Sequence, residues 1–235
     1  MRTLTSTLEA EQQKASIDPL IKIVLTHGDT EHTFDLERIL DSSHTEEPYS
    51  QKLELTLDNS DGVLTGLDLK GYKGVISYGA VTDDGDEYSD CAPLTVISQR
   101  LNSSPGILDC TLSLVGIPNL MAEDKASESY LPDDDDSKTV KTLINSILGA
   151  TIACFHSDDD CIAYDCVFDS EDDLIDTYKP KDSFRIYTGG SRLSAIRRLL
   201  DLTKCAMIFK ADGKGHVFVP TTSGAVYSYE YSLED

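Results

Sequence analysis

Apolar residues follow two different rhythms along this chain, and the change of rhythm divides it. From residue 20 to residue 118 the spacing is that of strands. Residues 20–26 (LIKIVLT) form an apolar-rich run that ends in a polar turn at 27–32. Residues 53–57 (LELTL) alternate apolar and polar, which turns one face inward at a period of two. An Asp/Gly turn at 58–62 leads to a second alternating run at 63–69 and a third at 74–81. After an acidic turn at 83–87, runs at 94–97 and 107–115 complete the series. Short strands separated by Asp/Gly turns predict an antiparallel barrel or sandwich rather than alternating βαβ units.

The flanking segments read as helix. Residues 4–15 are mostly strong helix formers without Gly or Pro, and Asp18-Pro19 stops them. At 123–138 (EDKASESYLPDDDDSK) the composition shifts: four consecutive aspartates repel one another, which predicts a solvated linker or exposed loop. Beyond it, Val140, Leu143, Ile144, Ile147 and Leu148 make a helical stripe, with Ser137 as the expected cap and Gly149 near the end. A second helix is expected after Gly189-Gly190, capped by Ser191. Leu193, Ile196, Leu199 and Leu200 form its apolar side, and Arg192, Arg197 and Arg198 lie largely away from it. A hairpin follows, with strands at 205–209 and 216–220 around a turn at 211–215, and residues 226–233 alternate as a last strand.

The predicted fold class is therefore α+β and mostly β, an antiparallel β-barrel-like domain plus a smaller helix-plus-hairpin domain. The expected boundaries are an N-terminal helical segment at 1–15, the barrel-like domain at 16–122, the acidic linker at 123–137 and an α+β domain at 138–235. Because the chain stops on a strand pattern, the second domain is expected to be incomplete.

Charge narrows the function. The 235 residues carry 42 acids against 20 bases, a net charge of −22, and a surface so acidic repels phosphate backbones. No run of about 18 apolar residues is present to span a bilayer as a helix. No apolar stretch follows Arg2, so no secretory signal is expected, and the six cysteines read as free thiols in a reducing cytoplasm.

The chemical motifs are weak. Cys154, Cys161 and Cys166 with His156 miss the paired spacing of a zinc knuckle and read as small core residues. The acidic loop from Asp169 has Leu174 where a calcium loop needs glycine. Gly74 stands one residue too far from Ser77 for a nucleophile elbow. His216 is expected to face outward from its strand. No enzyme activity, cofactor or metal is predicted. The concentrated basic feature is Arg192, Arg197 and Arg198, readable as a solvated face or as a salt-bridging subunit interface for an acidic neighbouring subunit.

Three stretches together resemble the tail hub, or baseplate hub, proteins of tailed bacteriophages. They are LDNSDGVLTGLDLKGYKGVISYG, CAPLTVISQRLNSSPGILDCTLSLVGIPN, and FDSEDDLIDTYKPKDSFRIYTGGSRLSAIRRLLDLTKCAMIFKADGKGHVFVP. The order of strands, turns and one helix over residues 15–231 carries the likeness. The resemblance implies a structural component of the virion tail, assembled in the host bacterial cytoplasm. It implies a homo-oligomer, trimer or hexamer, built as a hub or baseplate ring that continues the tail tube and seats the tail tip. The implied partners are other tail proteins such as tube, tape-measure, tip or fibre, with DNA passing through a channel without specific binding, no membrane anchor and no cofactor. It also implies that the last strand returns to the first barrel. The alternatives are a tail-tube or adaptor ring protein and a carbohydrate-binding or cell-wall-degrading tail-tip module. The absence of Trp counts against the last, since sugar stacking would fall to the 11 tyrosines.

Overall fold

The computed structural model describes residues 4–14, 16–132, 137–155, 162–181 and 183–221. Eight strands build the first unit: β1 (Pro19–His27), β2 (Thr30–Asp35), β3 (Ile39–Glu47), β4 (Ser50–Asp58), β5 (Lys73–Thr82), β6 (Gly85–Asp90), β7 (Leu94–Ser104) and β8 (Ile107–Gly116). They form one antiparallel sheet in the order β2-β1-β5-β7-β8-β4-β3, with β6 paired to β5. The sheet is barrel-like, and among the described residues its end strands β2 and β3 share no ladder. Alternation drives the curl: on β4, Leu53, Leu55 and Leu57 are buried while Lys52 and Glu54 are exposed. Ile23, Leu25, Ile76, Leu112 and Leu114 meet them in one cluster. Burying each such side chain is worth roughly 1.5–3 kcal/mol.

Two expectations for this unit change. Residues 63–69 are not a strand. The buried Asn59 side chain accepts the Leu64 N–H at 2.8 Å and Gly62 turns at φ 74°, so the chain winds into a 3-10 turn that pushes Leu64 into the barrel. Conversely, β2 and β3 are strands where the sequence pattern shows none. They are the sheet's edges, so few of their side chains are buried and apolar alternation is lost.

Helix α1 (Ser6–Glu11), shorter than the expected 4–15, is capped by the Thr5 hydroxyl and packs on β5. The second unit contains α2 (Ile117–Glu123), α3 (Val140–Leu148), α4 (Asp173–Thr177) and α5 (Arg192–Leu200). Its sheet has the order β10-β11-β9, from β9 (Cys166–Phe168), β10 (Ala206–Phe209) and β11 (Gly215–Phe218). The expected hairpin is β10–β11, and β9 adds to it in parallel. The apolar stripes of α3 and α5 pack together in a second core with Met207, Phe209 and Val217. Thr139, not Ser137, caps α3, while Ser191 caps α5 as expected.

The two cores touch where the β3–β4 turn meets β10: the Gln51 side-chain amide donates to the Phe209 carbonyl at 2.9 Å, and Tyr49 packs on the second core. Within the acidic segment, Lys125 and Tyr130 pair with Ser191 and Ile186, so this stretch lies against the second unit. Asp133–Asp136 and the strand expected at 226–233 lie outside the described residues.

Candidate functional site

Helix α5 carries the three arginines singled out by sequence, and the fold treats them differently. Arg192 stands in the first turn, where its side chain is turned inward and 1% exposed. Helix α3 ends beside it, and the last carbonyls of a helix have no intrahelical partner. Arg192 Nε donates to the Ile147 carbonyl at 2.8 Å and Nη2 donates to the Leu148 carbonyl. Its Nη1 donates to the Ile162 carbonyl at 2.8 Å and to Asp124 Oδ2 at 3.2 Å. The guanidinium also lies 5.3 Å from the Tyr164 ring. A planar five-donor cation suits this task, because it satisfies several carbonyls at once while the positive charge sits at a helix C-terminus. Arg192 is thus a buried tie within the chain rather than a side chain lying away from the core.

Arg197 and Arg198 do face outward. Arg197 lies 4.8 Å over the Tyr49 ring. Burial pushes the Tyr49 phenol up, and a backbone hydrogen bond at Met207 and the Arg197 charge pull it back. Arg198 Nη1 donates to the Arg185 carbonyl at 2.8 Å and its guanidinium stacks 5.5 Å from Phe184. Arg185 itself is exposed, and Tyr187 beside it is 61% exposed. Sequence reasoning missed this pair because residues 184–187 are brought to α5 by tertiary contacts, the Arg198 hydrogen bond and ring contact and the shared core around Phe184 and Ile186.

His216 corrects another expectation. It is buried, with Nδ1 3.0 Å from Asp169 and Nε2 3.0 Å from Asp212. Lys210 adds a 2.6 Å ion pair to Asp169. Lys210 and then His216 hold the Asp169 carboxyl below the ordinary carboxylate value. Burial works the other way on Asp212, but the Lys214 backbone N–H and His216 outweigh it and hold that carboxyl low as well. The cluster ties β9's end to the β10–β11 turn, and the first acid of the supposed calcium loop is engaged in it.

The remaining motif residues have local partners. The Ser77 hydroxyl donates to Asp90 at 2.6 Å across β5 and β6. Burial pushes the Cys154 thiol up to about 11 and the Cys166 thiol up to about 12, which keeps both protonated and unreactive near neutrality. His156 and Cys161 lie outside the described residues.

At the far end of the barrel a cavity of about 390 Å³ is lined by Thr33, Phe34, Asp35, Glu37, Arg38, Asp58 and Asp61. Arg38 grips Asp61 with both guanidinium nitrogens, at 3.0 and 2.7 Å. Leu36, Leu40, Val63 and Ile107, each more than half exposed, stand on the segments that form this end.

No protein-family model matches the sequence, and no curated protein matches it. Solved structures do. The tail protein from Neisseria meningitidis MC58 superposes with a TM-score of 0.53 at 15% identity, over 85% of this chain and 50% of its own. The 43 kDa tail protein of prophage MuSo2 from Shewanella oneidensis gives 0.51 at 11% identity, over 83% of this chain and 54% of its own. A Francisella PdpA–VgrG complex, in its half-lidded form, gives 0.52 at 11% identity, over 88% of this chain and 32% of the matched chain. The chain spans about half the length of the two tail proteins. It has the fold found in phage tail proteins, in line with the hub resemblance of its sequence.

Proposed function

We propose that this chain is a structural, non-catalytic component of a phage tail, and that copies of it assemble into a hub or baseplate ring that continues the tail tube and seats the tail tip. The observation that carries this reading is the superposition of more than four-fifths of the chain on two tail proteins. Further support comes from β2 and β3, which stand at the ends of the strand order among the described residues, since end strands are the ones a neighbouring copy can extend. The net charge of −22 suits a ring through which DNA passes, because like charge keeps the passing duplex from adhering. Its partners in this reading are further copies and other tail proteins, and its place is the virion tail.

Light scattering of the purified chain at low and physiological salt, with negative-stain imaging, tests the proposal. A closed trimer is the expected result for a hub. A hexamer moves the assignment to a tube or adaptor ring, and a monomer at every concentration overturns the ring.

A further inference from the structure

In a chain with two acids for every base, an unpaired cation stands out. Most of the structurally engaged bases have acidic partners: Lys14 with Glu11, Arg38 with Asp61, Lys141 with Glu171, Lys210 with Asp169 and Lys214 with Asp165. Arg185, Arg197 and Arg198 are exposed, and among the described residues none of the three forms an ion pair. Arg198 is held by the Arg185 carbonyl and the Phe184 ring, so it is positioned without its charge being neutralised. Tyr187 adds an exposed ring to the same surface. Arginine and tyrosine are residue types that anchor protein interfaces, and here they are open to solvent.

The far end of the barrel has the opposite character. The turn after β2, the start of β3, the end of β4 and the start of β8 meet there, joined by Asp58 N–H to Arg38 carbonyl, Asn59 N–H to Leu108 carbonyl, and the Asp58–Asp109 pairing. A bulge between Ile39 and Asp41 turns Leu40 out to 59% exposure. Asp35, Glu37, Asp41 and Asp61 surround this apolar rim, and Arg38 is already committed to Asp61. The rim and the arginine surface of one copy cannot meet. Strand β3 runs nine residues from the rim to the turn that touches the second unit, about 30 Å.

We infer that the surface of Arg185, Tyr187 and Arg198 docks on the acidic, apolar barrel end around Glu37, Leu40 and Asp41 of a second copy of this chain. The two surfaces differ, so the contact is heterologous, head to tail, and it closes into a ring when the rotation between copies allows. The inference rests on the ring reading above and assigns that ring its interface.

Four proteins test it by sedimentation velocity over a range of concentrations at low and physiological salt: wild type, Arg185→Glu/Arg198→Glu, Glu37→Lys/Asp41→Lys, and all four changes in one chain. Each pair alone is expected to weaken self-association about tenfold or more, and the combined swap to restore it to within about threefold, because charge pairs across an interface couple strongly. Melting curves and circular dichroism check that each variant folds, and Arg185→Gln/Arg198→Gln supplies a milder version with the same expected direction. If wild type assembles and the paired variants assemble equally well, this interface is wrong while the ring stands. Folded paired variants that the swap does not rescue also overturn it, since the surfaces then do not face each other. If wild type stays monomeric throughout, the ring fails and the interface with it.

Discussion

The two units of this protein solve the same problem by different means. In the barrel, apolar alternation does nearly all the organising: β4, β5 and β8 bury one face, and antiparallel ladders satisfy their backbones. The second unit is assembled from short helices and strands that cannot close their own ends. It fills those gaps with polar side chains, Arg192 at the end of α3 and His216 between two carboxylates. Both units are held by buried apolar area, and the second depends in addition on polar side chains that satisfy the ends of its short elements, so they differ in which single change damages them.

The sharpest way to break that comparison is Arg192→Met. It removes a buried charge and the guanidinium donors of three carbonyls, of which Ile147 and Leu148 keep the backbone N–H of Ala150 and Tyr164 while Ile162 loses its side-chain donor. A loss of about 3–5 kcal/mol is expected from several charge-assisted hydrogen bonds lost together, read by chemical denaturation as unfolding of the helical unit while the strand signal persists. Leu55→Ala in the barrel should cost slightly less, about 2–4 kcal/mol through lost burial and a cavity, with strand and helix signals falling together if the barrel supports the second core. The smallest effect concerns acid. Asp169 and Asp212 have carboxyls held below the ordinary value of 3.8, so the stability they contribute is present above that pH. It is lost as pH falls through their still lower native values. Both groups are partly exposed, so the contribution is under about 1 kcal/mol after screening. Melting midpoints measured from about pH 5 to about pH 2 should fall less steeply in His216→Asn than in wild type.

What was legible in the sequence follows the same division. Strands β1, β4, β5 and β8 and helices α3 and α5 bury a regular face, and a regular face is what periodicity reports. Edge strands β2 and β3 bury too little to show it, and β9 has only three half-buried residues and a parallel partner far along the chain. The fate of Arg192 was not legible because the carbonyls that draw it inward lie 44 and 45 residues away. His216 alternates like a surface residue, but its partner Asp169 is 47 residues distant. The outward arginines were visible as a charge pattern, and their neighbour Arg185 was not, because it reaches them through tertiary contacts.

The parallel pairing of β9 with β11 has a consequence during synthesis. The described barrel strands lie between residues 19 and 116, so their ladders can form while the rest of the chain is still being made. Strand β9 emerges near the middle of the second unit, yet among the described residues its ladder partner is β11, about 50 residues later. At ordinary translation speeds of about 5–20 residues per second, that interval is roughly 3–10 s. For roughly the first half of that interval the apolar side of α3 lacks α5, and for all of it the sheet is incomplete. The nascent second unit is therefore the part of this protein most exposed to chaperones and to misassociation before β11 arrives.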